Sequence, residues 1–509
     1  MSITKEKERT MTEAIPLRRF DQSGGLRLIL NRADTLKPVH ANEFSSAMHA
    51  CGQWLLFSDM LALTLAFLSG GCITWYVDKY VLGSGLDLAG TLAVKQFVIL
   101  VGLGGIAFLW LDAHGHYRQR LPFWEAVGHI LAVACIGFLL CGFVGFASQS
   151  AFSRLWLGLV WVLFAVFLFT GRALARRWLT HRGLWQIPTL LVGTGPSAEA
   201  AMHALAREPQ MGLVIVEQVA PETLDQLARP HTWNRLMRAC GSRHIVLALE
   251  GGEFEAHSGA IKALVRERLP CSIVPPWLGL PTGTLSPHHF LMHDVLMLHD
   301  TNRLTLPLPR FVKRSFDIIV SSLALLLLSP LFLLVSWMVR RDGGPAFFCQ
   351  KRIGEGGRQF CCYKFRSMRI DAEDYLERYL KENPDAAEEW GKFQKLKQDV
   401  RITRLGHFIR RTSIDELPQL INVLKGEMSL IGPRPIMPGQ EEFYGDDFMY
   451  YESVRPGITG PWQVSGRNRL TFRERVMLES SYARNWSLWM DIVILLKTVP
   501  AVLKNGQAF

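Results

Sequence analysis

The sequence predicts a membrane α plus α/β protein. It has a four-helix transmembrane unit, a Rossmann-like parallel α/β domain, and a mainly helical C-terminal domain with a re-entrant membrane helix. Three observations carry this reading. Four long apolar runs crowd into residues 51–172. Strand-like and helix-like segments alternate through residues 183–300. A fifth apolar run, bracketed by basic residues and interrupted by a proline, opens a polar and basic stretch over residues 308–509.

The bulk numbers agree. A chain of 509 residues is long enough for two to four domains. Its residues are 49% hydrophobic and its net charge is +11. That combination suits a membrane protein with anionic partners such as phospholipid headgroups or nucleotide phosphates. The nine cysteines are scattered and form no CxxC, so neither a disulfide framework nor a zinc site is expected. The N-terminus is polar, without the pattern of a cleavable signal peptide.

Residues 1–50 carry eight Lys or Arg and no sustained apolar period, which reads as a flexible cytoplasmic tail. The four runs follow: Trp54 to Val77, Phe97 to Leu111, Ile130 to Ala147 and Leu155 to Thr170. With its flanks, each approaches the about 20 apolar residues that a spanning helix needs. The tail, Arg118 and Arg120 between runs two and three, and Arg172, Arg176 and Arg177 after run four are basic. The positive-inside rule therefore puts both ends of the unit in the cytoplasm. Asp59 falls inside the first run, where it is expected to face inward and pair.

From Ile187 the period changes. "IPTLLVGTG", "GLVIVEQV", "RHIVLALEG" and "CSIVPPW" read as strands, with helices between them. That alternation implies a parallel sheet covered on both faces. Gly193, Gly195 and Ala198 satisfy G-x-G-x-x-A, and Glu217 ends the next strand, which outlines a dinucleotide fingerprint. The same glycines equally serve a tight strand-to-helix turn.

The fifth run, Ile318 to Val339, has Lys313 and Arg314 before it and Arg340 and Arg341 after it. Both flanks favour the same side of a membrane. Pro330 removes a backbone donor near its middle, and Ser329 is placed to satisfy the group that is freed. A re-entrant helix over residues 315–340 meets all these facts.

Glycine-flanked basic residues recur beyond it, in "QKRIGEGGRQFCCYKFRSM", "GPRP" and "VRPGITGPWQVSGRN". Small residues let the backbone approach a phosphate while Arg and Lys supply charge. Aromatics interleave, but no nucleic-acid-binding pattern appears, so nucleic acid is not an expected partner. "TSIDELPQL" holds Asp415 and Glu416 behind Arg410 and Arg411. On a helix these acids point about 100° apart, so they cannot face each other across a sugar. They can divide labour, one attacking a phosphate and the other holding a metal ion, with Arg410, Arg411 and Arg434 cancelling charge. The bland alternative is a capping box, Ser413-x-x-Glu416. Pro418 opposes that register, because it favours a helix whose N-cap is Asp415.

The region from Phe311 onward resembles the bacterial sugar transferases known as monotopic polyprenyl-phosphate phosphoglycosyl transferases. The resemblance rests on "KRSFDI" leading into Ser329-Pro330, "KFRSM", "SIDELPQLINVLKGEMSLIGPRP" and "GITGPWQVSGRN". The preceding four-helix unit and α/β domain look like those of the large members. "HDVLML" resembles the members that transfer galactose phosphate. The resemblance implies transfer of a hexose-1-phosphate, most simply galactose-1-phosphate, from a UDP-hexose to undecaprenyl phosphate with release of UMP. It implies Asp415 as nucleophile forming a phosphosugar aspartyl intermediate, and Glu416 with Asp415 as ligands to Mg²⁺. It maps phosphate and substrate contacts to Lys313, Arg314, Lys364, Arg366, Arg434, Gln463 and Arg467, which join the Arg410 and Arg411 that the residue pattern offers. It implies a bacterial inner membrane location with the catalytic domain on the cytoplasmic face, and a role at the first membrane step of O-antigen, capsule or exopolysaccharide synthesis. A homodimer is the expected assembly. One departure is visible: the family's DPRIT is here DVRIT, with Val400 for proline. The rival donor is UDP-glucose. A membrane-tethered nucleotide-sugar dehydratase or epimerase is the other alternative, but no tyrosine lies between Ile187 and Phe311 to serve its chemistry.

Overall fold

The structure is a computed structural model. It describes residues 18–20, 41–82, 94–147, 153–229, 231–276, 285–289, 296–300, 303–384, 386–387, 399–466 and 470–503. The chain forms two compact units that divide between Leu278 and Gly279.

In the first unit the apolar runs are helices α1 (Ala41–Val77), α2 (Val94–Ala113), α3 (Phe123–Ala147) and α4 (Arg154–His181). All four are long and apolar enough to cross a membrane. Their shared core includes Phe67, Leu100, Leu111, Trp156, Trp161, Phe164 and Leu168. Their outer faces carry Leu109, Leu139, Phe143, Phe146 and Val162 exposed. Apolar side chains inside and outside alike are what a lipid-facing bundle needs. Asp59 is fully buried. Arg172 Nε donates to its Oδ1 at 2.9 Å and Tyr117 OH donates to its Oδ2 at 2.7 Å. The expected inward pairing of Asp59 is met.

The α/β part follows the predicted alternation: β2 (Ile187–Val192), α5 (Pro196–Arg207), β3 (Leu213–Val219), α6 (Thr232–Cys240), β4 (His244–Leu247), α7 (Gly251–Ala256), α8 (Ser258–Arg266) and β5 (Cys271–Ile273). The sheet is parallel throughout, in the order β1-β3-β2-β4-β5. Its first edge is β1 (Arg18–Phe20), which lies within the segment read as a flexible tail. Three residues gave no periodicity to detect.

The glycine turn after β2 is closed from within. Ser197 N, in the first turn of α5, donates to Glu250 Oε1 at 2.9 Å. A Cβ at Gly195 would lie 2.7 Å from that same carboxylate oxygen. In a dinucleotide site a pyrophosphate occupies this helix N-terminus. Here a carboxylate of the chain takes that position, and Gly195 is small to admit it. Glu217 lies inside β3, two residues before its last residue, rather than at its end.

The second unit opens with the hairpin β6 (Leu285–His289) and β7 (Leu296–Asp300). They belong to this unit, beyond the α/β sheet, although the sequence places them in the α/β domain of residues 183–300. Helix α9 (Pro307–Arg340) comes next. Then come hairpin β8 (Phe347–Ile353) and β9 (Gln359–Phe365), and helices α10 (Ala372–Glu382), α11 (Arg404–Arg411) and α12 (Gln419–Lys425). Strands β10 (Ser429–Ile431) and β11 (Gly457–Thr459) pair in parallel, with α13 (Phe448–Glu452) between them. Helices α14 (Pro461–Val464), α15 (Phe472–Arg484) and α16 (Leu488–Leu503) complete the unit. Cys349 and Cys361 form a disulfide across the β8–β9 hairpin, against the expectation of unpaired cysteines. The residues are twelve apart in sequence but nearly opposite once the hairpin closes.

Helix α9 is docked at both ends on one body. Near its start, Arg314 donates to Val423 O at 2.6 Å and Leu424 O at 2.8 Å. Near its end, Val335 and Val339 pack with Phe365 and Ile409. Between them Leu323, Leu326, Leu327, Leu333 and Leu334 are exposed. Pro330 sits inside the helix without breaking it. Its missing N–H would leave Leu326 O unsatisfied, and Ser329 Oγ donates to that carbonyl at 2.8 Å. This is the compensation expected of the Ser-Pro pair.

Candidate active site

Asp415 and Glu416 lie on a 3-10 turn, Ile414–Glu416, between α11 and α12. Neither cap reading holds. Ser413 adopts φ 57°, a left-handed conformation rare outside glycine, and its side chain caps nothing. Helix α12 starts later than Asp415, with Pro418 as its N-cap. Proline's missing N–H does no harm there. The dyad thus stands on a strained turn between two helices, a setting common at functional sites.

Neighbouring elements supply the cations. Lys364, on β9, donates to Glu416 Oε1 at 2.7 Å. Arg434 Nη2 lies 3.9 Å from the same oxygen, and its guanidinium stands 5.3 Å from the Trp462 ring centroid. Arg410 acts on the half-buried Asp415 electrostatically while its Nε donates to Ser367 Oγ at 2.7 Å. Burial raises the Asp415 pKa to about 6, and the Glu416 charge adds to this; Lys364 and Arg410 oppose it. Arg352, absent from the sequence-derived set, also feels the charges of Glu416 and Arg434. Its signal was present in the basic "QKRIGEGG" stretch.

Other expected phosphate contacts are committed elsewhere. Lys313 is buried and donates to Ile431 O, Tyr482 OH and Asp491 Oδ2 at 3.1, 3.2 and 2.7 Å. Its three protons are used, so it holds α9, α15 and α16 together rather than a phosphate. Arg314 satisfies carbonyls at the end of α12. Arg366 pairs with Asp342 and donates to Pro345 O at 2.8 Å. Arg411 is exposed, and among the described residues the ion pairs to Glu416 come from Lys364 and Arg434. Gln463 is buried beside β11, with Nε2 3.5 Å from Ile458 O. Arg467 lies outside the described residues.

The glycines of "GPRP" and "GITGP" have a packing reason. Gly432 N donates to Thr459 O at 3.0 Å, and Gly457 N donates to Pro433 O at 2.8 Å. A Cβ on Gly432 would lie 2.3 Å from Arg455 O, and one on Gly457 would lie 2.1 Å from Gly432 N. The two loops are joined backbone to backbone, and that joint carries Arg434. Glu479, buried on α15, accepts from Arg434 N at 3.0 Å and from Arg475 Nε at 3.1 Å. Asn422 on α12 accepts from Tyr363 N at 3.0 Å and donates to Cys361 O at 2.7 Å. It thereby fixes the dyad's downstream helix against the strand that carries Lys364. Val400 occupies the second position of a turn closed by Ile402 N donating to Asp399 O at 3.1 Å. A proline would fit that position, and the Asp399–Arg401 ion pair holds the turn without one.

A carboxylate dyad ringed by cations, on a body that carries a long apolar helix, defines a membrane enzyme acting on phosphates. Residues 308–505 match the family described as bacterial sugar transferase, and residues 112–232 match one described as a CoA-binding domain. The chain belongs to the bacterial sugar transferase family. It is 36% identical over 473 residues to an undecaprenyl-phosphate galactose phosphotransferase of Salmonella typhimurium, covering 90% of this chain and 98% of that one. It is 35% identical over 471 residues to a UDP-galactose-lipid carrier transferase of Erwinia amylovora, covering 90% and 96%. An undecaprenyl-phosphate glucose phosphotransferase of Komagataeibacter xylinus is 43% identical over 209 residues, covering 39% of this chain and 37% of that one.

Proposed function

We propose that this protein transfers a hexose-1-phosphate from a UDP-hexose to undecaprenyl phosphate at the start of polysaccharide assembly. The observation that carries this is the Asp415–Glu416 turn held beside Lys364, Arg410 and Arg434. Asp415 attacks the β-phosphorus, the bond to UMP breaks, and UMP leaves. An oxygen of the lipid phosphate then displaces Asp415, which returns as carboxylate and leaves a diphosphate-linked hexose on the lipid. Lys364 and Arg434 orient Glu416 and offset the phosphate charge.

The donor set suits Mg²⁺, which takes one or two carboxylates together with substrate phosphates and water. Glu416 and Asp415 would hold it, and the ion would supply charge neutralisation for the diphosphate. Galactose is the favoured hexose, since the two relatives aligned over most of this chain carry galactose in their names. Glucose is the alternative.

Helix α9 is read as re-entrant. Both its ends bind the same body and its exposed middle is leucine-rich, which favours entry and exit on one face over a crossing. With basic residues at both flanks, that face is cytoplasmic, and helices α1 to α4 of the first unit span the bacterial inner membrane.

The test is a panel of UDP-sugars with undecaprenyl phosphate in detergent, following the released nucleotide. UMP release with UDP-galactose, lost in Asp415→Asn, is expected. Release of UDP, or full turnover by Asp415→Asn, overturns the reading.

A further inference from the structure

The first unit contains an arginine-lined cavity that shares no residue with the dyad. It lies where the α2–α3 loop and α4 meet Trp185 and Gln210, and it has a volume of about 60 Å³. Three guanidiniums line it: Arg120, Arg172 and Arg176. Their charges are unequally compensated. Arg172 is held by Asp59 and donates its Nη1 proton to His116 Nδ1 at 2.6 Å. Neither Arg120 nor Arg176 forms an ion pair with a carboxylate among the described residues. Arg176 Nη1 donates to Gln210 Oε1 at 2.8 Å, and its Nε donates to Arg172 O at 3.3 Å. Glu208, two residues before Gln210, accepts from Phe123 N at 3.1 Å.

Arg120 is held in a particular way. Its guanidinium stacks on the Trp185 indole at 3.5 Å. Its Nε is buried without a hydrogen-bond partner; elsewhere the guanidinium's side-chain hydrogen-bonding neighbour is the Cys51 sulfur, a weak acceptor that itself donates to Leu184 O at 3.4 Å. A buried donor left unmatched is unfavourable unless a ligand satisfies it. Stacking fixes the plane of the fork, which preorganises the remaining donors for an oxyanion.

The size selects the ligand. A whole nucleotide needs a pocket of the roughly 300–1,000 Å³ class, and this cavity is far smaller. It admits one compact polyoxyanion. Leu55, Val127, Ile130 and Phe169 also line it. Ile130 belongs to the bundle core and Phe169 packs against it, so a chain attached to the anion would meet apolar surface.

We propose that this cavity binds a single phosphate group, clamped between Arg120 and Arg176. The phosphate is either free or the head of an anionic lipid, and the lipid source rests on reading the four helices as spanning a membrane. Neither source requires the dyad, so the site stands or falls separately from the transfer reaction.

The experiment uses the full-length protein. Inorganic phosphate is titrated in detergent against a chloride control at equal ionic strength, with the thermal midpoint as readout. In parallel, the protein is placed in phosphatidylcholine nanodiscs with and without phosphatidic acid, and retained lipid is counted by native mass spectrometry. Saturable stabilisation by inorganic phosphate identifies the free ion. Retention of phosphatidic acid over phosphatidylcholine identifies the lipid. Either is expected to weaken about tenfold or more in Arg120→Gln/Arg176→Gln, from the loss of charge-assisted bonds. Should that double variant fail to fold, Arg120→Lys keeps the charge but loses the fork and the stack, and is expected to weaken binding in the same direction. The proposal is overturned if neither ligand binds the wild-type protein saturably, or if binding is unchanged in a folded variant.

Discussion

Lys364 Nζ stands 2.7 Å from Glu416 Oε1, and the same ammonium lowers the pKa of Asp415, the neighbouring acid. One cation on β9 therefore serves both halves of the dyad. It orients Glu416 by a charge-assisted bond and favours the ionised form of Asp415. Lys364→Met removes both effects. The expected loss in kcat/KM is about 10- to 100-fold, from a charge-assisted bond worth about 1.5–3 kcal/mol. The acidic limb of the pH profile should also move. Asp415 must be ionised to attack, so wild-type activity falls as pH drops through about 6. Without Lys364 its pKa rises further, and the limb shifts to higher pH. A lower but unshifted profile would mean that Lys364 acts on Glu416 alone.

Asp415→Asn should abolish turnover yet stabilise the C-terminal unit near neutral pH. Burial raises the Asp415 pKa from 3.8 to about 6, so folding favours the protonated acid. Its contribution to stability is full below the unfolded pKa and is lost as pH rises through the folded one. Above that the wild type carries a penalty on the order of 1–3 kcal/mol, which asparagine does not. The unfolding midpoint of the variant in EDTA should exceed wild type at about pH 8, and the two should converge at about pH 4. Equal midpoints at both pH values would show that the acid is not held in an unfavourable setting.

Much of the fold was legible because its signals are local. Apolar length marked α1 to α4, and the alternation from Ile187 to Ile273 marked the strands beyond β1 and the helices between them, though not the break at His257 that separates α7 from α8. The Ser329–Pro330 pair told its own story, since both the lost donor and its replacement are adjacent in sequence. What could not be read was which partner a cation takes across the fold. Lys313 and Lys364 look alike in sequence, each a lysine in a basic stretch, but Asp491 lies 178 residues from one and Glu416 lies 52 from the other. Glu250 was invisible for the same reason. The glycines before α5 suggested an empty anion site, and a carboxylate 53 residues downstream of Ser197 occupies it.

That carboxylate bears on the α/β domain. With Glu250 already accepting from Ser197 N, a nucleotide phosphate at the same helix end would meet like charge. Purified full-length protein should carry no stoichiometric dinucleotide or coenzyme A, and added NAD should leave its unfolding midpoint unchanged. Release of either molecule on denaturation, seen by mass spectrometry, would contradict this.

The buried Lys313–Asp491 pair should govern stability rather than substrate affinity. Asp491 is fully buried and also accepts from Tyr482 OH at 2.6 Å and Trp486 Nε1 at 2.9 Å. Lys313→Met leaves that carboxylate without its countercharge, which costs about 3–5 kcal/mol. Replacing both, as Lys313→Met with Asp491→Leu, should recover part of the loss because no unpaired charge remains. Denaturant unfolding of the single and double variants measures the coupling. The KM for the UDP-sugar in the folded fraction should stay near wild type. A raised KM with intact stability would return Lys313 to the substrate.

Gly432 tests whether the backbone joint between "GPRP" and "GITGP" places Arg434. An added Cβ would come within 2.3 Å of Arg455 O and 2.8 Å of Gly457 N, backbone atoms that cannot swing aside. Gly432→Ala must therefore open the β10–β11 joint, at an overpacking cost of about 1–3 kcal/mol. It should also move Arg434 away from Glu416 and Trp462. Gly439 makes a matched control on the same connection: its φ is +90°, but a Cβ there would meet nothing within 4 Å. Gly439→Ala costs about 1–2 kcal/mol of left-handed strain and leaves the joint closed. Gly432→Ala should lose kcat/KM well beyond Gly439→Ala at comparable destabilisation. If the two lose activity equally, general destabilisation explains the effect and the joint does not set the position of Arg434.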